Sequence, residues 1–252
     1  MNLTFKISVI TATFNSASTI ESTLLSIINQ DYQNKELIVI DGGSTDETLS
    51  IIEKYKSSIS IIISEKDNGI YDALNKGISL ATGDVIAILH SDDFYIHNKV
   101  ISNVIETFIN FKSDSVYGDL IYVDRFDTNR IIRKWISGNY KHGKFIQGWM
   151  PPHPSFFVKK ECYDRYGKFN LSLKSSADYE LMLRFLHKHK ITTVYLNEFL
   201  VKMRIGGQSN VSLLNRLKAN REDKLAWKLN NIKPAFYTLL FKPLRKLIQF
   251  IR

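Results

Sequence analysis

Short apolar runs alternate with segments of helical periodicity over the first part of the chain. The runs cover residues 7–11, 37–40, 59–63 and 85–89 and are almost continuously hydrophobic, which predicts strands covered on both faces of a parallel sheet. Between them, apolar residues recur at helical spacing, and the clearest stripes are Ile20, Leu24, Ile27 and Ile28, then Ile70, Leu74 and Ile78. This alternation predicts βαβ units with right-handed crossovers.

A polar cluster follows each of the four predicted strands. The clusters read TATFNS (11–16), DGGSTD (41–46), SEKDNG (64–69) and HSDD (90–93), and Thr13, Asp41, Asp67 and Asp92 recur at nearly equal intervals. Ligands of open parallel sheets bind beyond the carboxyl ends of the strands, so the regular spacing predicts one site along that edge. Asp92 is followed by Asp93, and adjacent carboxylates repel each other unless a cation lies beside them.

The pattern changes from about residue 115. Strands are predicted at 116–123 and 131–135, helices at 159–167 and 178–189, and two short strands at 194–196 and 199–203. A proline-rich loop, GWMPPHPSFF, carries His153, and the glycine-rich RIGGQSN follows the last strand. Two capping boxes are predicted, Ser44-x-x-Glu47 before the second helix and Ser175-x-x-Asp178 before the helix at 178.

Composition and length indicate a globular protein with one substantial core, either a single α/β domain or a domain with an appendage. The lone Cys162 excludes an internal disulfide and is consistent with a reducing compartment. No apolar run is long enough to span a bilayer, and the first residues lack the pattern of a secretory signal. We therefore expect the protein to remain in the cytoplasm.

The net charge of +9 is concentrated near the C-terminus. Residues 216–252 hold ten Lys and Arg against two acids, a net of +8, so the segment 1–215 carries only +1. The segment AFYTLLFKPLRKLIQFIR mixes aromatic and aliphatic residues with these cations, as expected of an interfacial helix on anionic lipid. The alternative is a tail packed on its own domain or between two copies in a homodimer. A nucleic-acid partner is not indicated, because no recognised binding motif accompanies the charge.

Several longer strings carry a family resemblance. They are ISVITATFNSASTIESTLLSI, ELIVIDGGSTDETLSII, DNGIYDALNKGISLATGDVIAILHSDD and HPSFFVKKECYDRYGKF followed by SADYEL, in order from residue 7 to about 181. With them the chain resembles glycosyltransferase family 2, inverting nucleotide-sugar transferases of the GT-A fold, and within it small bacterial enzymes of capsule, exopolysaccharide and lipopolysaccharide assembly. Ala12, Ser16 and Asn170 depart from the usual family residues, and the metal motif is reduced to Ser91-Asp92-Asp93.

The resemblance implies an α/β, Rossmann-like GT-A fold with a mostly parallel central sheet flanked by helices. Residues 1–210 would form this domain, with a nucleotide-sugar-binding half at 1–113 and an acceptor-binding half at 114–210. Residues 211–252 would be basic amphipathic C-terminal helices. The implied location is cytoplasmic and peripheral on the inner face of the cytoplasmic membrane.

The implied function is transfer of a single sugar from a UDP-linked donor to a hydroxyl of a glycan or polyprenyl-linked acceptor in cell-surface polysaccharide synthesis. No QxxRW-type motif of processive synthases follows Asp178, which favours adding one sugar at a time. Two rival classes are a sugar nucleotidyltransferase and a non-catalytic, membrane-associated nucleotide-sugar-binding protein. The first requires a glycine-rich basic loop after strand one, and TATFNSAS has neither Gly nor Lys or Arg.

The resemblance also assigns residues to the reaction. Asp93 would ligate Mn²⁺ or Mg²⁺, which neutralises the leaving diphosphate, while Asp92 would lie nearer the ribose or sugar. Asp178 would be the general base for the acceptor hydroxyl, with Glu180 as the lesser candidate. A capping box would explain the carboxylate of Asp178 without catalysis.

The remaining candidates are assigned to the nucleotide-sugar: Thr11, Thr13, Asn15, Asp41, Gly43, Asp67, Asn75, Lys76 and Arg204. Asp41 would accept a hydrogen bond from the nucleobase, or cap its own turn. Lys76 is otherwise a solvated helix lysine, and Arg204 either closes over the diphosphate or is a surface arginine. His153 is an acceptor-site or phosphate ligand, or an imidazole fixed between two prolines.

Overall fold

The computed structural model describes residues 4–206, 213–238 and 241–242, with the backbone alone over 213–220. Its strands are β1 (Ile7–Thr13), β2 (Lys35–Asp41), β3 (Ile61–Ser64), β4 (Val85–Ile88), β5 (Asp93–Tyr95), β6 (Ser115–Val123), β7 (Ile131–Trp135), β8 (Phe156–Lys159) and β9 (Thr193–Arg204). These strands form one sheet in the order β3-β2-β1-β4-β8-β6-β9-β5, and β7 pairs with β6.

The sheet is parallel where the first half of the chain builds it. β1 pairs in parallel with β2 and β4, and β2 pairs in parallel with β3. β8 then runs antiparallel to both β4 and β6 and so joins the two halves of the chain in one sheet. Beyond it, β6 and β9 are parallel, whereas β5 and β7 are antiparallel additions. The predicted α/β fold with a central sheet flanked by helices is present, and the sheet is mixed, since four of the eight strand pairings among the described residues are parallel and four are antiparallel.

Helices cover both faces of the sheet. They are α1 (Ile20–Ile28), α2 (Thr48–Lys54), α3 (Ile70–Leu80), α4 (Val100–Phe111), α5 (Lys160–Tyr166), α6 (Ala177–Met182) and α7 (Leu213–Leu229). One core cluster packs α3, α6 and α7 against one face, and the other packs α1 and α4 against the opposite face. Within the described residues, no helix is both long and apolar enough to cross a bilayer.

Several predicted boundaries shift. The third strand begins at Ile61 rather than residue 59, because a 3-10 turn at Lys56–Ser58 precedes it. The two short strands predicted at 194–196 and 199–203 form the single strand β9. The helix predicted at 178–189 is α6 followed by a π-helical turn at Leu183–Lys188. Of the C-terminal helices predicted over 211–252, one is present as α7, whereas most of the following tail lies outside the described residues.

The capping box predicted at Ser44 is wrong. The Ser44 hydroxyl donates to the Asp41 carboxylate, and α2 begins only at Thr48. Asp46 is the residue beside the helix start that accepts from a backbone N–H, that of Thr48 at 3.0 Å. The polar turn after β2 is thereby organised around Asp41 and Asp46 rather than around Ser44 and Glu47.

A buried carboxylate ties together the amino-terminal ends of β1, β2 and β4, on the side of the sheet away from the polar clusters. Glu36 in β2 accepts hydrogen bonds from Lys6 Nζ at 2.7 Å, Ser8 Oγ at 2.5 Å and the backbone N–H of Thr82 at 2.7 Å. Burial alone would raise the pKa of Glu36, but these hydrogen bonds outweigh it and lower the pKa to about 2. The ionised carboxylate therefore stabilises the amino-terminal ends of these strands.

We expect Glu36→Gln to lower the free energy of unfolding by about 2 kcal/mol at pH 7, because the folded chain favours the ionised carboxylate and solvent near the half-exposed Lys6 screens part of that preference. This stability is complete above the pKa of the unfolded chain, near 4.5, and is lost as the pH falls toward the folded value. Urea unfolding at pH 7, 5 and 4 should show the gap between variant and wild type narrowing with acid. The exposed Glu53→Gln is the control, and a gap independent of pH contradicts the prediction.

Candidate active site

Buried polar atoms without partners concentrate at the carboxyl ends of β1 and β4. Among the described residues, Thr11 Oγ1, Thr13 Oγ1, His90 Nδ1 and both carboxylate oxygens of Asp93 have no hydrogen-bond partner. Buried polar groups in folded proteins are nearly always paired with protein, water or a ligand, so this cluster is a candidate ligand site. Thr13 lies directly opposite Asp41 in the neighbouring strand, which brings the first two polar clusters together.

The backbone around Asp93 holds its carboxylate in place. Its N–H donates to the His90 carbonyl at 3.0 Å, and its carbonyl accepts from Thr23 Oγ1 at 2.7 Å. Asp93 is 0% exposed, and burial, reinforced by the nearby charge of Asp92, raises its pKa well above the ordinary value, against the weaker lowering effect of Arg204. The ionised carboxylate of Asp93 would therefore be stabilised by a nearby cation.

Arg204 at the end of β9 braces the turn that carries the two acids. Its guanidinium donates to the carbonyl of Asp92 at 2.8 Å and to Ser22 Oγ at 3.0 Å, and it lies 4.6 Å from the centre of the Phe94 ring. Arg204 is only 8% exposed, so it is not the surface arginine that one interpretation allowed. Its hydrogen bonds support the backbone of the turn rather than reach away from it.

The donor set at Asp93 fits a divalent cation that is shared with a substrate. No group of three or more His, Cys, Asp or Glu side chains able to hold a metal occurs in the part of the chain that the structure describes. Mg²⁺ commonly binds proteins through one or two carboxylates together with substrate phosphates, and hard oxygen ligands also suit Mn²⁺. The unpaired, buried carboxylate of Asp93 beside Asp92 has donor chemistry that fits such a shared ion.

Asp41 makes the contacts of a turn-capping residue. Its carboxylate accepts from the backbone N–H of Gly43 at 3.1 Å and of Ser44 at 2.9 Å, from the Ser44 hydroxyl, and from Ser64 Oγ at 2.7 Å. These bonds tie the end of β2 to the end of β3 and fix the loop on which Gly43 lies. A direct contact of Asp41 with a nucleobase remains a prediction.

Asp67 packs against the same loop. A Cβ atom added to Gly42 would lie 2.7 Å from Asp67 Oδ2, so only glycine permits the carboxylate to approach the backbone there. Asn15 joins the loop from the other side, because its Oδ1 accepts from the N–H of Thr45 at 2.8 Å. The ends of β1, β2 and β3 therefore meet around one polar surface, as predicted.

Two candidates on α3 have structural contacts of their own. The side-chain amide of Asn75 exchanges two hydrogen bonds with the backbone of Phe169, each 2.9 Å. Lys76 pairs with Glu65 at 2.8 Å and with Asp72 at 3.5 Å. The Asn75 bonds join α3 to the second half of the chain, whereas a role in nucleotide binding stays a prediction for both residues.

Asp178, at the start of α6, is half-buried and faces α3. Its Oδ1 accepts from the hydroxyl of Tyr71 at 3.2 Å. The capping box predicted at Ser175 is wrong, because the N–H groups of residues 174–176 donate instead to the carboxylate of Glu222 on α7, at 2.7 to 3.2 Å. The capping explanation for the carboxylate of Asp178 is thereby removed, and its contact with Tyr71 remains.

Glu180 is committed to packing. It is buried and accepts from Arg184 Nε at 3.0 Å, from Arg184 Nη2 at 3.0 Å and from Asn230 Nδ2 at 2.8 Å. The residue is close to Asp178 in sequence, yet it ties α6 to α7. Both oxygens of Glu180 are occupied, whereas Oδ2 of Asp178 accepts no hydrogen bond from the described residues.

A row of rings runs from His90, in the cluster that holds Asp92 and Asp93, toward Asp178. The His90 and His153 rings are 5.7 Å apart between centroids, His153 meets Phe169 edge-on at 5.6 Å, and Phe169 stacks on Tyr71 at 5.4 Å. Tyr71, His90 and Phe169 were not identified as site residues from the sequence. Their only sequence signal is their position inside or beside the family strings, since most of the groups that they contact are distant in the sequence.

Comparison with known proteins identifies the family. The chain matches Glycosyl transferase family 2 over residues 8–171 and therefore belongs to that family. It is 31% identical over 209 residues to the "PGL/p-HBAD biosynthesis glycosyltransferase" of Mycobacterium bovis (strain BCG / Pasteur 1173P2), covering 81% of this chain and 78% of that protein. It is also 31% identical over 192 residues to an Escherichia coli protein, the UDP-Glc:alpha-D-GlcNAc-diphosphoundecaprenol beta-1,3-glucosyltransferase WfaP, covering 72% of this chain and 70% of that protein.

The fold is shared with a solved structure of the mannosyltransferase PcManGT from Pyrobaculum calidifontis in complex with GDP-Man and Mn²⁺. The TM-score is 0.67 at 19% identity, over 96% of this chain and 68% of that one. At this level of identity the likeness concerns the fold alone. Together with the family match, it makes this chain a glycosyltransferase with a GT-A fold.

We expect Asp93→Asn to stabilise the protein in the absence of divalent cations, by about 1 to 3 kcal/mol at pH 7, because it removes an unpaired buried charge. The raised pKa sets the sign: the wild-type carboxylate destabilises the fold when ionised, so the gain shrinks as acid protonates it. Chemical unfolding in EDTA measures the effect, with the exposed Asp164→Asn as control. Lower stability of Asp93→Asn at pH 7 contradicts the prediction.

Proposed function

We propose that this chain is a metal-dependent inverting glycosyltransferase that moves one sugar from a UDP-linked donor to a hydroxyl of a glycan or lipid-linked acceptor. The observation that carries the proposal is the pairing of two acids across one site. Asp93 is buried without a hydrogen-bond partner at the strand ends, and Asp178 faces the same row of rings from α6. Asp93 would act on the leaving diphosphate, and Asp178 would act on the acceptor hydroxyl.

The nucleotide would lie along the ends of β1, β2 and β3. Thr11 and Thr13 offer unpaired hydroxyls there, and Gly43 takes the positive φ that the loop after β2 requires. The name of WfaP, a relative at 31% identity, specifies UDP-Glc and a lipid diphosphate acceptor, which favours a uridine donor over the GDP-Man of the more distant PcManGT.

Asp93, with Asp92 beside it, would hold Mn²⁺ or Mg²⁺ against the donor diphosphate. When bound, such an ion acts as a Lewis acid that neutralises the departing nucleoside diphosphate. The chain contributes a backbone that fixes Asp93. It also contributes the guanidinium of Arg204, which holds the turn through the Asp92 carbonyl. Asp92 and Asp93 would therefore act from preorganised positions.

Asp178 would accept the proton of the acceptor hydroxyl as that oxygen attacks C1 of the sugar. The Tyr71 hydroxyl holds Oδ1 at 3.2 Å and so orients the carboxylate, leaving Oδ2 for the acceptor. Attack from the side opposite the leaving diphosphate inverts the anomeric carbon, so an α-linked donor gives a β-linked product. Glu180 is an unsuitable base because Arg184 and Asn230 occupy its oxygens.

Nucleotide release separates this proposal from its rivals. We expect Asp178→Asn to lower kcat by about 10² to 10⁴ with little change in melting temperature, since the acid supplies proton transfer and not packing. Glu180→Gln is the matched control, because it should lower the melting temperature yet retain catalysis in the folded fraction. The assay measures UDP released from UDP-sugars with acceptor-containing membrane lipid, in Mn²⁺ and in EDTA.

Each rival makes a different prediction in this assay. A non-catalytic binding protein would bind UDP-sugars without releasing UDP, and Asp178→Asn would then change nothing. A nucleotidyltransferase would form UDP-sugar from a sugar phosphate and UTP. Turnover that is equal in Mn²⁺ and in EDTA contradicts the metal assignment alone.

We further propose that the C-terminal region binds an anionic membrane surface. The buried side of α7 carries Ala226 and Trp227, whereas its outer side exposes two leucines and three cations: Leu225, Leu229, Arg221, Lys224 and Lys228. Phe236, just beyond the helix, is 92% exposed. Exposed apolar side chains flanked by cations match the chemistry of an interfacial segment. A lipid-linked acceptor would lie on that surface.

Vesicle sedimentation tests the membrane proposal. The intact protein should bind vesicles containing phosphatidylglycerol, and the joint change Lys224→Glu, Lys228→Glu and Phe236→Ser should lower binding at least tenfold by removing charge attraction and apolar insertion. Truncation after Asn231 should act likewise, but it also removes Lys242, the partner of Asp223. The exposed Phe126→Ser on the β6–β7 turn is the control. Equal binding of all forms contradicts the proposal.

A further inference from the structure

The imidazoles of His90 and His153 belong to the row of rings between Asp93 and Asp178, and the reaction proposed above gives them no role. His90 begins the fourth polar cluster, and its buried Nδ1 has no hydrogen-bond partner among the described residues. His153 begins a 3-10 turn at His153–Ser155 and is 8% exposed. With ring centroids 5.7 Å apart, the two side chains form a pair, called here the imidazole pair.

The pair is held rigidly. The turn of His153 is fixed by Ser155 Oγ, which donates to the carbonyl of Gly118 in β6 at 3.0 Å. Phe169 meets the His153 ring edge-on, and the backbone of Phe169 is in turn pinned by Asn75. The carbonyl of His90 accepts from the N–H of Asp93, which fixes the backbone of the other member.

The surroundings place the imidazole pair where the transferred sugar would lie. Burial lowers the pKa of His153 to about 4, against the raising effect of the Asp178 carboxylate, so this ring is neutral at physiological pH and lies within electrostatic reach of Asp178. On its other side, His90 belongs to the same HSDD cluster as Asp93. On the function proposed above, the sugar joins the diphosphate near Asp93 to the acceptor oxygen near Asp178, and so it passes beside both rings.

A neutral imidazole offers one N–H donor and one nitrogen acceptor, which is the complement of a hydroxyl group. A carboxylate or phosphate in the same place would lie near the carboxylates of Asp92 and Asp178, both of which act electrostatically on His90. An unpaired anion in a buried site is strongly disfavoured. The chemistry of the imidazole pair therefore selects for an uncharged polar group.

We propose that His90 and His153 together bind a hydroxyl of the sugar being transferred and restrict the donor to neutral hexoses or N-acetylhexosamines, excluding uronic acids. The proposal rests on the function proposed above and adds the part of the substrate that these residues contact. It assigns the pair to donor-sugar recognition rather than to phosphate binding, which the sequence left open for His153.

Calorimetric titration separates sugar recognition from nucleotide recognition. The probes are UDP, UDP-glucose, UDP-galactose, UDP-GlcNAc and UDP-glucuronate in Mn²⁺, with GDP and GDP-mannose in parallel. At least one neutral UDP-sugar should bind wild type more tightly than UDP, and UDP-glucuronate should bind more weakly. His153→Ala should weaken the preferred neutral sugar tenfold or more and leave UDP within twofold, because a hydroxyl loses a buried partner while the nucleotide does not.

Two further variants guard against a folding defect. His153→Gln and His90→Asn keep polar groups at each position and should recover part of the affinity for the neutral sugar, with melting temperatures near that of wild type. His97→Ala, an exposed histidine after β5, is the control and should change nothing. Deoxy analogues of the preferred donor identify the hydroxyl: the one bound by the pair should lose affinity in wild type and not in His153→Ala.

The outcomes are distinguishable. Equal weakening of UDP and the UDP-sugar in His153→Ala, or no weakening of either, overturns the proposal and leaves the glycosyltransferase proposal intact. Tighter binding of UDP-glucuronate than of every neutral sugar by wild type also overturns it. Failure of wild type to bind any of the nucleotides counts against the proposed donor class itself.

Discussion

The structure depends on a carboxylate that the protein buries without giving it a hydrogen-bond donor. The backbone of Asp93 is fixed through both its N–H and its carbonyl, yet neither oxygen of its side chain is paired by a described residue. Burying a carboxylate whose charge only Arg204 partly offsets is costly in a folded chain, and the protein tolerates that cost where its parallel strands end. On the proposed function, a cation arriving with the donor diphosphate would offset this cost and so gain binding energy at the site.

The second constraint is the alignment of the two halves of the chain. β8 runs antiparallel between β4 and β6 and makes one continuous sheet of both halves. On one face, α3 donates from Tyr71 to Asp178 and exchanges two bonds through Asn75 with Phe169. Because α3 starts directly after the Asp67 cluster, one helix connects the polar strand ends with Asp178 on α6. On the proposed function, the spacing between leaving group and acceptor is therefore set by α3 and the continuous sheet.

Local sequence patterns were sufficient for the frame but not for the roles of individual side chains. Apolar runs and the polar clusters after them predicted the first four strands and their common edge, because both signals depend on neighbours in sequence. The capping box at Ser175 failed because Glu222, which is far along the chain on α7, binds those N–H groups instead. Glu180 and Asn75 also look available in the sequence, and only their distant partners Asn230 and Phe169 show that they are occupied.

The C-terminal region contacts the loop that leads to His153, which limits how the end of this protein can be truncated or exchanged. Lys242 lies 2.7 Å from Asp223 and 3.7 Å from the ring centre of Tyr179, next to Asp178 in sequence, and its backbone nitrogen would collide with a Cβ at Gly148. Shortening the protein at its C-terminal region, or replacing that region with that of a relative, would thus disturb both α6 and the loop that leads to His153.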